Sequence, residues 1–221
     1  MQILLVCTAN LARSPLAEAM LATSLVDHGY AVGSAGTHAR SGHPAKKASQ
    51  EQARLRGLDL TDHRSRPVSG DLVDEAQLVL TMAESQRDRC ASMAPGAGAY
   101  VFTLSEFLRL LERVDLAAAP QEPAWRLAWV VEQAHLSRPT APPFRGHRDV
   151  DDPIQRPWPA WETMSATLDD LCGQIVPILG GEPRWQLPAG ADTGSVSDPG
   201  HRTTARRLRP RWLARSAPHR P

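Results

Sequence analysis

A cysteine and an arginine, five residues apart, stand near the start of the chain in Cys7-Thr8-Ala9-Asn10-Leu11-Ala12-Arg13. Five intervening residues let the backbone curl so that successive N–H groups point into one concavity, an anion nest. Ser14-Pro15 follows, a good N-cap and a good first helical residue, so a helix N-terminus adds its positive dipole end to the same place. The backbone of Thr8, Ala9, Asn10, Leu11, Ala12, Arg13 and Ser14 is therefore suited to hold a phosphate. Arg13 would close the ring with a planar fork onto phosphate oxygens, a geometry lysine does not copy. Cys7 would lie beneath the phosphorus, where inward amides, the helix end and Arg13 favour its nucleophilic thiolate. The Ser14 hydroxyl is placed to donate to that sulfur. The alternative is a buried cysteine at a strand end with a surface arginine; neither Cys90 nor Cys172 has an arginine at the same spacing.

Breaking a phosphate ester also requires a group that protonates the departing oxygen and later activates water, work suited to a positioned carboxylic acid. Asp151-Asp152-Pro153 offers one, because proline fixes its own φ and confines the residue before it to extended backbone. Asp152 is thus the candidate general acid, and an ordinary Asp-Pro turn is the competing reading.

These groups need a scaffold. Residues 2–6, QILLV, read as a strand buried on both faces of a parallel sheet. Leu16, Ala17, Met20, Leu21 and Leu25 then recur at helical spacing until Gly29. The alternation continues: strand at 30–34, helix at 44–56, strand at 77–81, helix at 85–93, strand at 99–103 and amphipathic helix at 104–114. Four strands interleaved with helices predict an α/β fold, a small four-stranded parallel sheet flanked by helices. Residues 115–148 read as an elaborated loop with a possible helix at 125–136, and a last helix is expected at 160–179.

The 221 residues are enough for one such domain plus an appendage. The domain is placed at residues 1–181, and 182–221 is an Arg/Pro-rich tail expected to be disordered. That tail holds eight arginines against three acidic residues, so the domain itself has 17 basic and 21 acidic residues. A solvated extension is the expectation for the tail, with a nucleic-acid partner disfavoured. An odd number of widely spaced cysteines (Cys7, Cys90, Cys172) fits a reducing compartment, hence the cytoplasm. MQILLV is too short for a signal peptide, and no apolar run is long enough to span a membrane.

VCTANLARSP resembles the phosphate-binding loop of low-molecular-weight protein tyrosine phosphatases, whose pattern is V-C-x-G-N-x-C-R-S-P. Ser34-Ala35-Gly36-Thr37 with Gly42 and Pro44, Gly57-Leu58-Asp59 with His63-Arg64-Ser65-Arg66, and Leu78-Val79-Leu80-Thr81-Met82 resemble further family segments in order, and Asp152-Pro153 stands where the family keeps its general acid. The resemblance covers roughly residues 1–181, loosely between 113 and 148. It implies the family fold and metal-independent hydrolysis of phosphomonoesters, protein phosphotyrosine foremost, through a phosphocysteine on Cys7. No cofactor or metal site is implied. A phosphorylated protein, a tyrosine kinase among the possibilities, is the implied partner. Asn10 would brace the loop with Ser14 and His63; for His63 a surface histidine after a turn is the alternative.

The departures bear on substrate and redox chemistry. The family's loop glycine is Ala9, which requires a negative φ there or a strained loop. Its second loop cysteine is Ala12, so Cys7 lacks a close disulfide partner. Ile154 and Gln155 follow Asp-Pro, and His38-Ala39-Arg40 follows Thr37, so the aromatic rim that sandwiches a phosphotyrosine ring is missing. Two further functions compete. An arsenate reductase on the same scaffold would need relay thiols, but Met82 occupies the first expected position and only Cys90 lies nearby. A non-catalytic phosphate-recognising module would have no need of Cys7, Arg13 and Asp152 together.

Overall fold

The four apolar runs form strands β1 (Gln2–Cys7), β2 (Ala31–Gly36), β3 (Leu78–Thr81) and β4 (Val101–Thr103). The structure, a computed structural model, describes residues 1–141 and 149–186. The strands pair in parallel in the order β2-β1-β3-β4, with Cys7 opposite Gly36, Val6 opposite Thr81 and Leu80 opposite Phe102. The chain builds outward from β1 to one side and then to the other. A crevice therefore opens beyond the carboxyl ends of β1 and β3, the usual ligand position in open α/β sheets. Cys7 is the last residue of β1 and lies at that crevice.

Side-chain alternation splits the interior in two. Ile3, Leu5, Cys7, Leu78, Leu80 and Phe102 face a larger core that includes Leu16, Met20, Leu21, Leu127, Leu168 and Ile175. Leu4, Val6, Val79 and Val101 face a smaller core with Val73, Cys90 and Ala97. The larger core draws on helices α1 (Arg13–Leu25), α2 (Lys47–Arg54), α5 (Leu104–Leu111), α6 (Pro123–Ser137) and α7 (Trp158–Ile178). The smaller one is covered by α3 (Gly70–Asp74) and α4 (Glu84–Ala91).

Three expectations shift. The possible helix at 125–136 within the segment 115–148 is the 15-residue α6, which starts earlier, at Pro123 under a Glu122 cap, and buries Leu127, Val130 and Ala134. Arg138, just beyond it, lies 4.1 Å from the Phe102 ring centroid and 3.2 Å from Glu106, so this insertion is docked onto α5 and β4. Second, α2 begins at Lys47, not at 44: Lys46 is still extended (φ −58°, ψ 141°), and its N–H donates to the Leu11 carbonyl at 2.8 Å. Third, the packed domain runs past 181. Trp185 donates to Asp169 at 2.9 Å, Gln186 donates to the Arg56 carbonyl at 3.0 Å, and Asp169 also holds the buried Arg56 guanidinium at 2.6 Å. Residues 142–148 of the expected elaborated loop and 187–221 of the tail lie outside the described residues. Among the described residues, no helix is long and apolar enough to cross a membrane.

Candidate active site

The turn between β1 and α1 wraps around the Cys7 sulfur, and its outer hydrogen bonds explain why. The carbonyls of Cys7, Thr8 and Leu11 accept from the backbone of Thr37 (2.9 Å), His38 (2.8 Å) and Lys46 (2.8 Å). The Asn10 carbonyl meets His63 Nε2 at 2.8 Å, and that of Ala12 accepts from Ser49 Oγ at 3.1 Å. In a planar trans peptide the carbonyl and the following N–H point in opposite directions. Outward carbonyls at these five positions therefore turn the amides of Thr8, Ala9, Leu11, Ala12 and Arg13 inward. Asn10 completes the set, donating its own N–H to Cys7 Sγ at 3.3 Å.

Asn10 also carries the loop's one left-handed backbone, with φ 54°. Asparagine tolerates that conformation better than other side chains. Ala9 stays outside the left-handed region, so the alanine in place of the family's glycine needs no strain there. The Asn10 side chain is fully buried; it donates to Ser14 Oγ (3.0 Å) and Ser34 Oγ (2.7 Å) and accepts from the Arg66 N–H (3.0 Å). Ser34 in turn donates to Glu18 at 2.5 Å, and Ser14 donates to Cys7 Sγ at 3.0 Å. A chain of hydrogen bonds thus runs from a carboxylate through Ser34, Asn10 and Ser14 to the sulfur. The sequence predicted Ser14 as an N-cap. Instead the cap position is Ala12, without a side-chain bond, and the Ser14 hydroxyl is spent on Cys7.

Arg13 is 5% exposed, and its guanidinium meets three groups at once. It donates to Asp152 Oδ2 (2.5 Å), to the Val150 carbonyl (3.0 Å) and to Thr8 Oγ1 (3.3 Å), while Nε is buried without a partner. A buried guanidinium N–H left unpaired is costly, and a bound oxyanion is the kind of acceptor that would relieve it. Asp152 is held from behind by the Ile154 N–H at 3.1 Å. The same segment is fastened to the sheet by Val150 N–H to Met82 O (2.7 Å) and by Asp149 capping the Glu84 N–H (2.9 Å). The structure therefore brings Cys7, Arg13 and Asp152 together around one concavity, with Asn10, Ser14 and His63 behind it.

A family model for low molecular weight phosphotyrosine protein phosphatase matches residues 2–120. The chain belongs to that family. As a member it is a phosphatase of phosphoproteins on the family's four-stranded parallel fold. The Probable low molecular weight protein-tyrosine-phosphatase EpsP of Ralstonia nicotianae is 39% identical over 115 residues, covering 52% of this chain and 75% of the relative. The Protein-arginine-phosphatase of Geobacillus stearothermophilus is 34% identical over 107 residues, 48% of this chain and 71% of the relative. Among solved structures, the low molecular weight protein tyrosine phosphatase from T. tengcongensis superposes with a TM-score of 0.60 at 25% identity, covering 80% of this chain and 98% of that one.

The other two thiols of the phosphatase lie in its packed interior. Cys90 packs in the smaller core on the opposite face of the sheet, and burial pushes its thiol up to about 11. Cys172 is fully buried in α7, and burial raises its thiol further still. Neither is arranged as a relay thiol, which counts against the arsenate reductase alternative. Sequence reasoning missed Ser34 as a second ligand of Asn10, Glu18 behind it, and Gln86, whose amide bridges Met82 N–H (3.1 Å) and Thr8 Oγ1 (3.1 Å). Ser34 had been visible only as part of a motif, and Gln86 sits in a polar helix with no pattern to single it out.

Proposed function

We propose that this phosphatase hydrolyses phosphotyrosine in proteins through a phosphocysteine on Cys7. The observation that carries the reading is the buried sulfur, which accepts from Ser14 and Asn10 beneath a ring of amides that Arg13 closes. Inward amides and the Arg13 fork bind the phosphoryl oxygens, and Cys7 Sγ attacks phosphorus opposite the leaving oxygen. Asp152, in its acid form, gives its proton to the departing phenolate. Water then attacks the phosphocysteine, Asp152 takes a proton from it, and the Cys7 thiolate leaves. The Ser14 hydroxyl and Asn10 amide stabilise the charge it carries away. Arg13 bonds Asp152 in this structure and exchanges that contact for phosphoryl oxygens when substrate binds.

A tyrosine kinase that is itself phosphorylated is the protein partner we favour, and the three free cysteines fit a cytoplasmic setting. A second reading is favoured by the missing aromatic rim and the arginine-phosphatase relative: the same loop can cleave a phosphoarginine P–N bond. Hydrolysis of matched phosphotyrosine and phosphoarginine peptides by wild type, Cys7→Ser and Asp152→Asn tests both. We expect the tyrosine peptide to turn over faster, no turnover without Cys7, and a loss of about 10²–10⁴-fold without Asp152. Preferential cleavage of the arginine peptide would replace tyrosine as substrate, and activity surviving Cys7→Ser would overturn the mechanism.

A further inference from the structure

Thr8 follows the nucleophile of the proposed mechanism, and its hydroxyl has its two lone pairs occupied. Gln86 Nε2 donates to Thr8 Oγ1 at 3.1 Å and Arg13 donates to it at 3.3 Å. Gln86 is 4% exposed, and its oxygen shares the Met82 N–H (3.1 Å) with the Val6 carbonyl (2.9 Å), which favours the amide orientation that turns Nε2 to Thr8. A hydroxyl has two acceptor positions and one proton. With both positions filled, the proton must be directed at a third group, and among the described residues no acceptor takes it. The Arg13 nitrogen that reaches Thr8 is also the one that holds Asp152, so the hydroxyl lies on the side of the cradle where Arg13 and Asp152 meet.

We propose that the Thr8 hydroxyl is a side-chain donor to a non-bridging phosphoryl oxygen, and that Gln86 is the positioning residue that fixes it as a donor. This rests on the phosphatase reading of the same loop. The consequence is a transition-state contact beyond the backbone amides, in a site where one such donor is worth roughly tenfold to a hundredfold in rate when partly open to water. The requirement is for a hydroxyl at this position together with an amide donor behind it. Replacing the amide by a carboxylate would turn the hydroxyl around, since Glu at 86 still accepts from Met82 but offers Thr8 a second acceptor.

The test is aryl phosphate hydrolysis and inorganic phosphate inhibition by wild type, Thr8→Val, Thr8→Ser, Gln86→Glu and the Thr8→Val/Gln86→Glu double variant, with thermal unfolding followed throughout. Thr8→Val should lose about tenfold or more in kcat/KM and bind phosphate more weakly, and Thr8→Ser should retain both. The loss should be equal for good and poor leaving groups, because the oxygen is non-bridging. The double variant should lose less than the product of the two single losses, since both remove one bond. Wild-type kcat/KM and phosphate affinity in Thr8→Val would overturn the proposal, and so would fully multiplicative losses. If Gln86→Glu unfolds, the comparison of Thr8→Val with Thr8→Ser decides alone. A wild type that leaves aryl phosphate intact, or a Cys7→Ser variant that turns it over, would instead refute the underlying phosphatase mechanism.

Discussion

Replacing Asn10 by alanine removes a fully buried side chain that ties the phosphate cradle to α1, β2 and the segment before Pro67. Three hydrogen bonds disappear, to Ser14, Ser34 and the Arg66 N–H, in a position with no solvent access. Ser14 and Ser34 keep their own acceptors, Cys7 and Glu18, so each loses one ordinary bond of about 1 kcal/mol. The Arg66 N–H loses its acceptor at about 1–3 kcal/mol. Alanine also pays about 1–2 kcal/mol for holding the left-handed φ of 54°. The expected destabilisation is therefore about 4–7 kcal/mol, which for a domain of this size lowers Tm by roughly 10–25 °C. Asn10→Gly relieves the backbone part and should recover about 1 kcal/mol relative to alanine. Thermal unfolding of the three proteins, with and without inorganic phosphate, measures both contributions, and aryl phosphate kinetics follows the cradle. An Asn10→Ala protein within about 1 kcal/mol of wild type and unchanged in kcat/KM would refute the reasoning that this network shapes the loop.

Gly36 is a second sensitive point. A Cβ there would come within 2.6 Å of the Thr8 carbonyl and 2.8 Å of the Asn10 nitrogen, so Gly36→Ala should displace the cradle, cost about 1–3 kcal/mol and depress kcat/KM more than ten-fold. Unfolding and steady-state kinetics check this together. The thiols should differ in reactivity: burial raises those of Cys90 and Cys172, so iodoacetate at neutral pH should label Cys7 alone, and inorganic phosphate should protect it. Peptide mapping showing Cys90 labelled at the Cys7 rate would contradict that placement. Tyr30 donates from a buried phenol to the carbonyls of Pro123 and Leu179, and burial pushes it from 10.0 to about 12. Its folded value lies above its unfolded one, so its contribution is whole below pH 10 and is lost as pH rises through 12. Denaturant unfolding between those limits should show a steeper loss in wild type than in Tyr30→Phe.

Much of the scaffold was legible because buried parallel strands write themselves as short β-branched and leucine runs. The run at 77–81 became β3 at Leu78–Thr81, and 99–103 shortened to Val101–Thr103 because residues 97–99 coil into a 3₁₀ turn. Helix α3 went unread: at five residues it shows no period, although Ser69 caps it through the Leu72 N–H. Cys7, Arg13 and Asp152, which the structure gathers at one loop, stood out in the sequence because each residue type has few substitutes in the role proposed for it. The bracing shell was not. Ser34, Glu18 and Gln86 are common surface residue types, and only the β1–β2 register and the approach of α4 to the loop turn them toward the cradle. The Ser14 cap was misjudged because the cap rule counts orphan helix amides, whereas here those amides already belong to the anion nest.

The most direct test of the central claim is acid-quench trapping during turnover of an aryl phosphate, followed by mapping of the phosphorylated peptide. A phosphoryl group on Cys7 that is absent from Cys7→Ser, builds up when Asp152→Asn slows its hydrolysis, and needs Arg13 to form is the predicted result. Turnover with no phosphoenzyme on Cys7, or phosphate recovered on another residue, would contradict it.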